Sequence, residues 1–149
     1  MRGGTRDGTK EFCGALRSRA LFLAVCTGPW DGGGRVLYEK NADERVPIAS
    51  ITKVMTLLLA FEAVHDGRLT METPVPVSEH AYHMGGSQIW LEPGEQFTLD
   101  EMIKAICVSS ANDAAVAVAE LVGGSEPGFV QMMNARAAEL GMVNTTFHN

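Results

Sequence analysis

Pro47-Ile48-Ala49-Ser50-Ile51-Thr52-Lys53-Val54-Met55-Thr56-Leu57-Leu58-Leu59-Ala60-Phe61-Glu62-Ala63-Val64-His65 is the stretch on which the reading of this chain turns. Pro47 stops an extended run, and from Ser50 to His65 the apolar residues recur at helical spacing. Ile51, Val54, Met55, Leu58 and Phe61 share one face, and Leu57, Ala60 and Val64 add a second apolar flank. Only Thr52, Lys53, Thr56 and Glu62 interrupt. A helix apolar nearly all round is expected at the centre of a domain. Gly67, just past its end, suits a left-handed cap.

Upstream, residues 20–26 and 35–40 read as two strands joined by a turn-rich connection, Thr27-Gly28-Pro29-Trp30-Asp31-Gly32-Gly33-Gly34, so an antiparallel hairpin is expected. Downstream, Pro74, Pro76, Gly85-Gly86 and Pro93-Gly94 describe loops and short strands. Thr98 and Glu101 form a capping-box pair that opens a helix with Leu99, Met102, Ile103 and Ile106 inward. Ser109-Ser110-Ala111-Asn112-Asp113 breaks that helix with small polar residues suited to a turn and a new start. An Ala/Val helix then runs to Gly123-Gly124, and a last one opens at Ser125 with Pro127 in its first turn and closes at Gly141. The fold class is therefore α+β: a small hairpin and four helices.

Composition narrows the function. The chain has 149 residues, is 46% hydrophobic and carries a formal charge of −6. This excludes general disorder, and an acidic balance argues against nucleic-acid partners, whose phosphates need a basic face. No apolar run is long enough for a transmembrane helix. The charge is uneven: residues 1–40 hold seven Lys/Arg against four Asp/Glu, whereas the rest hold five against fourteen. The basic head before Ala20-Leu21-Phe22-Leu23-Ala24-Val25-Cys26 has the order of a signal peptide, yet Asp7 and Glu11 spoil its positive flank. A buried strand is the better reading. Cys13, Cys26 and Cys107 have no paired spacing, so neither a disulfide framework nor a zinc site is expected, and Cys107 reads as a small core residue. His80 and His83, with Glu79, are too few for a metal and read as a solvated turn. No metal and no cofactor are expected.

Two groups of residues carry chemistry. Ser50 and Lys53, three apart at a helix start, project on one face. A lysine there opposes the helix dipole and has little water around it, and both effects push its pKa down. A partly neutral amine beside a hydroxyl is a general base beside a nucleophile, and the Ser50 backbone N–H can donate to a developing oxyanion. Alone, Ser-x-x-Lys also reads as a capping serine with a snorkelling lysine. Ser110-Ala111-Asn112 sets a hydroxyl and an amide side by side at a helix break, able to pass a proton and hold a substrate amide. Both groups, in this order and sixty residues apart, are far more specific than either.

On these residues the chain resembles the serine D-alanyl-D-alanine carboxypeptidases, the low-molecular-mass penicillin-binding proteins of peptidase S11 type. Residues 36–45, Pro47 to Lys53, Ser110 to Asp113, Gly86-Ser87 with Leu91 to Glu95, and Leu140 to Phe147 carry the likeness, from about Gly34 to Asn149. Serine, lysine and Ser-x-Asn motifs of this kind are also shared with class A β-lactamases. The resemblance implies Ser50 as nucleophile, Lys53 as its base, Ser110 as proton relay to the leaving amine, and Asn112 and Ser87 as substrate-binding residues. It implies as partners cell-wall peptides ending in D-alanyl-D-alanine, β-lactams as inhibitors, and an extracytoplasmic location in the cell envelope.

The chain also departs from that pattern. None of its lysines, Lys10, Lys40, Lys53 and Lys104, is followed by Thr-Gly, the family's third motif. Residues 1–33 read as an atypical basic segment with the first strand, and 34–149 as part of a DD-peptidase domain whose later sheet strands are missing. Little activity of the chain alone is expected. Ala111 stands where class A β-lactamases have an aspartate between Ser and Asn, which ranks a β-lactamase second and a non-catalytic muropeptide-binding remnant third.

Overall fold

The structure, a computed structural model, describes residues 48–148 and the backbone of 21–26 and 34–40. The chain divides into two units, Met1–Pro47 and Ile48–Asn149. In the first, β1 (Leu21–Cys26) and β2 (Gly34–Lys40) pair antiparallel from Leu21 opposite Lys40 to Cys26 opposite Gly34, with a register shift between Leu23 and Ala24. The expected hairpin is present. Its connection, the segment 41–47 and Cys13 lie outside the described residues.

The second unit begins with a single 3-10 turn, Ala49–Ile51, that runs into α1 (Thr52–His65). Gly67 follows in the left-handed region at φ 73°. β3 (Pro74–Pro76), a one-turn helix α2 (Glu79–Tyr82) and β4 (Gln96–Thr98) come next, with β3 and β4 paired antiparallel. Then follow α3 (Leu99–Ser109), α4 (Asn112–Gly123) and α5 (Glu126–Glu139). The capping box forms as expected: the Thr98 hydroxyl accepts from the Glu101 N–H, and the Glu101 carboxylate accepts from the Thr98 N–H at 2.8 Å. Leu99, Met102, Ile103 and Ile106 all point inward.

Two apolar clusters make the core. Ala60, Val75, Leu91, Leu99, Met102, Ile106, Ala114 and Ala117 belong to one. Met55, Leu59, Ala119, Phe129, Met133, Ala137 and Phe147 form the other. The helix between them is α4, whose Ala114 and Ala117 are fully buried and let neighbouring backbones come close. Close approach is also why Gly123 must be glycine: a Cβ there would lie 2.7 Å from the backbone nitrogen of Phe129. Asn134 holds the chain end to α5, its Oδ1 accepting from the Phe147 N–H at 2.8 Å and its Nδ2 donating to the Phe147 carbonyl at 3.0 Å.

Two expectations need correction. The inward face of α1 is Met55, Thr56, Leu59, Ala60 and Ala63, whereas Ile51, Val54 and Phe61 are 66%, 65% and 47% exposed. A helix apolar on nearly every side gives no periodic signal for its inward face. The small Ala60 and Ala63 settle it, because they allow the closest packing. Cys107 is exposed, not a core residue. It sits one residue past Ile106, about 100° further round the helix and off the buried face.

Candidate active site

Ser50 lies in the 3-10 turn that opens α1, with its side chain exposed. Ala49, just before it, has φ 45°, a left-handed conformation that a non-glycine residue holds at a cost of about 1–3 kcal/mol. Lys53 follows in the first turn of α1, half-buried. Its Nζ donates to Oδ1 of Asn112 at 2.6 Å, joining two residues 59 positions apart. Burial holds the Lys53 amine below the ordinary lysine value. The direction matches the expectation, and loss of water is its cause.

Asn112 is the first residue of α4, and the segment around Gly85 to Leu91 is fastened to it. Its Nδ2 donates to the Gly85 carbonyl at 2.6 Å, and its backbone N–H donates to the Ser87 carbonyl at 2.7 Å. Lysine needs an acceptor and Gly85 offers one, so the two contacts together fix which way the amide faces. Gly86, at φ 83°, gives the amide its clearance, because a Cβ there would lie 2.7 Å from Nδ2. Ser87 itself is exposed, and its carbonyl makes the contact.

Ser110 forms the break between α3 and α4 in the left-handed conformation, φ 53° and ψ 36°. Ala111, fully buried, is the residue before α4 and caps it without a side-chain bond. The expected polar cap is therefore absent at that position. The first turn is served from within by Asp113, whose Oδ1 accepts from the Ala114 N–H at 2.9 Å.

Asp113 is the residue that sequence reasoning missed. It is 1% exposed, and its Oδ2 accepts from the backbone N–H groups of Ile89 at 3.1 Å and Leu91 at 3.2 Å. A buried carboxylate demands such donors, and a helix N-terminus favours it. An acidic residue in the first helical turn, followed by a run of Ala and Val, was the available signal.

Beside Lys53 and Asn112 a cleft of about 290 Å³ opens, walled by Thr52, Thr56, Glu126, Phe129 and Met133. Ser50 is not among the residues that line it. Among the described residues no hydrogen bond links the Ser50 hydroxyl to Lys53 or Ser110. Lys53, Asn112 and the Ser87 backbone are thus brought together directly, with Ser50 three residues before Lys53 and Ser110 two before Asn112. His80 is more than a solvated turn: its Nε2 meets Glu126 Oε2 at 2.5 Å, tying α2 to α5, and this bond raises its pKa. Among the described residues no His, Cys, Asp and Glu group is placed to hold a metal ion.

Comparison with known proteins gives a consistent result. A family profile described as D-alanyl-D-alanine carboxypeptidase, peptidase S11, matches residues 31–149. D-alanyl-D-alanine carboxypeptidase DacF of Bacillus subtilis is 55% identical over 116 residues, 78% of this chain and 30% of that protein. DacC of Escherichia coli is 37% identical over 120 residues, 76% of this chain and 30% of that protein. Among solved structures, the carboxypeptidase DacD from Francisella tularensis aligns with a TM-score of 0.79 at 33% identity, over 90% of this chain and 31% of that one. Streptococcus pneumoniae PBP3, described as a peptidoglycan synthesis regulatory factor, aligns at 0.69 and 44% identity over 74% of this chain and 32% of that one. The chain spans about a third of the length of the relatives it matches.

Proposed function

The chain belongs to the D-alanyl-D-alanine carboxypeptidase family, peptidase S11, and from that premise we propose that it carries the nucleophile end of a serine DD-carboxypeptidase site. Its α+β architecture is the corresponding part of the fold shared by penicillin-binding DD-peptidases. The observation that most supports the reading is the 2.6 Å bond from Lys53 to Asn112, which joins two motifs that are remote in sequence.

The reaction follows from the residue chemistry. Lys53, its pKa lowered by burial, takes the proton of the Ser50 hydroxyl as Oγ attacks the carbonyl between two terminal D-alanines. The oxyanion forms at the mouth of α1, where the Ser50 N–H donates. The C–N bond breaks, Ser110 passes a proton to the leaving amine, and D-alanine departs from an acyl-serine. Water then cleaves the ester, its hydroxyl joining the acyl carbon and its remaining proton going to the Ser50 oxygen. Asn112, fixed by Lys53 and Gly85, holds the peptide backbone, and Ser87 borders the same opening. The substrates are cell-wall peptides ending in D-alanyl-D-alanine, met in the cell envelope. β-Lactams acylate Ser50 in the same way. No described helix is long and apolar enough to cross a membrane.

The 149 residues hold no Lys-Thr-Gly, so a polypeptide of this sequence alone is expected to acylate slowly. By the family resemblance, the strand bearing that motif would supply the second oxyanion donor, and losing one such donor costs about 10²–10³ in turnover in other serine hydrolases. The test is covalent labelling of the purified protein by a fluorescent penicillin over long incubation. Slow labelling that vanishes in Ser50→Ala supports the proposal, and labelling that persists in Ser50→Ala overturns it. Binding of a D-alanyl-D-alanine peptide with no labelling at all would leave a purely binding role.

A further inference from the structure

Three non-glycine residues have positive φ among the described residues: Ala49, Ser110 and Trp90. The first precedes the nucleophile and the second is the proton relay. The third has no part in the proposed reaction. A bulky residue in the left-handed region is a costly outlier, and such strain persists only where the surroundings impose it. Here the imposing group is Asp113, which holds the N–H groups of Ile89 and Leu91 on either side of Trp90. Both neighbours are drawn toward the core, Leu91 to 1% exposure, while the indole is left 81% exposed.

The indole borders a second cleft of about 380 Å³, lined by Tyr82, His83, Gln88, Trp90, Leu91 and Glu92. That volume is in the range of small-molecule sites. Two aromatic rings, Tyr82 and His83, stand together at its edge with centroids 4.9 Å apart. Gln88, His83 and Glu92 supply amide, imidazole and carboxylate groups, which can serve hydroxyls and N-acetyl groups. A fixed, exposed indole offers a broad apolar face with little conformational entropy to lose. Flat aromatic faces with hydrogen-bonding groups at the rim, and no lysine or arginine among the lining residues, suit the C–H face of a pyranose ring.

We propose that Trp90 is a stacking platform for a β-linked N-acetylhexosamine glycan, the strand to which cell-wall peptides are attached. The identity of the polymer rests on the carboxypeptidase reading above. The fastening of the segment supports it, because adjacent residues hold the reaction site and the platform. Asn112 faces Lys53 and binds Gly85 and Ser87, and Asp113 holds Ile89 and Leu91. Trp90 is three residues from Ser87, so their Cα atoms are no more than about 11 Å apart. A glycan on the platform therefore lies beside the site that receives its peptide.

Calorimetric titration of the purified protein with a β-1,4-linked N-acetylglucosamine hexamer tests this. Saturable binding is expected, about tenfold weaker in Trp90→Ala, largely kept in Trp90→Phe and unchanged in Ser50→Ala. Trp90→Gly is expected to lose binding while raising the thermal midpoint, a pairing that a purely structural tryptophan would not produce. Fluorescent-penicillin labelling should be the same in Trp90→Ala as in the parent. If labelling fails while the hexamer still binds through Trp90, the carboxypeptidase reading falls and the platform stands. If the parent shows no saturable binding, or Trp90→Ala binds as tightly as the parent, the platform is overturned.

Discussion

Ser110 shows how closely a single residue can be constrained. Its left-handed backbone tolerates glycine best, yet its proposed role needs a hydroxyl. Threonine keeps the hydroxyl, but its β-branch clashes in this region. Ser110→Gly is therefore expected to raise the denaturation midpoint slightly while slowing acylation by about 10²–10⁴, the usual worth of a positioned proton donor. Ser110→Thr should lower both, with a stability cost of about 1–3 kcal/mol. Chemical denaturation and penicillin-labelling rates read the two variants. Lys53 makes a second prediction at this scale. Because burial lowers its pKa, the neutral base builds up as pH rises toward the ordinary lysine value of 10.5 and is half formed below it. The labelling rate should climb with pH through a midpoint below that value, and Lys53→Arg should remove the climb. The sign for stability is the same: the unfolded chain holds this proton more tightly, so stability contributed by Lys53 grows as pH rises through its folded pKa.

Among the elements, the segment from Gly85 to Leu91 depends on the first turn of α4. Asp113→Ala leaves the Ile89 and Leu91 N–H groups without their acceptor, at about 1–3 kcal/mol for each donor left unsatisfied. The expected result is a lowered midpoint together with faster hydrogen exchange at Ile89 and Leu91. Unchanged exchange there would show that other contacts hold the segment. Most of the elements were legible, because their ends carry chemistry: Thr98 with Glu101, Ser125 with Pro127, and Gly67, Gly124 and Gly141 past helix ends. The proposed Ser50, Lys53, Ser110 and Asn112 were legible through their spacing. Asp113 and Trp90 were not, because their roles come from contacts 22 to 24 residues apart in sequence, which no local pattern records. The inward face of α1 was hidden for the opposite reason, since too many of its residues looked apolar.

For the molecule as a whole, the exposed Ile51, Val54 and Phe61 oppose the solubilising effect of a net charge of −6. Contiguous apolar surface promotes association in water. A polypeptide of these 149 residues should bind a hydrophobic dye and sediment as larger species with rising concentration, and Val54→Glu with Phe61→Lys should reduce both signals. Dye binding equal in parent and variant would place the apolar surface elsewhere. The adjacency of Asn112 and Asp113 also sets how their contacts are coupled. One inserted residue between them would turn one about 100° away from the other's side of the helix. An insertion between the two residues would therefore separate the Lys53 contact from the Ile89 and Leu91 contacts. The spacing of Asn112 and Asp113 is thus what lets one helix start serve both the Lys53 side and the Trp90 segment.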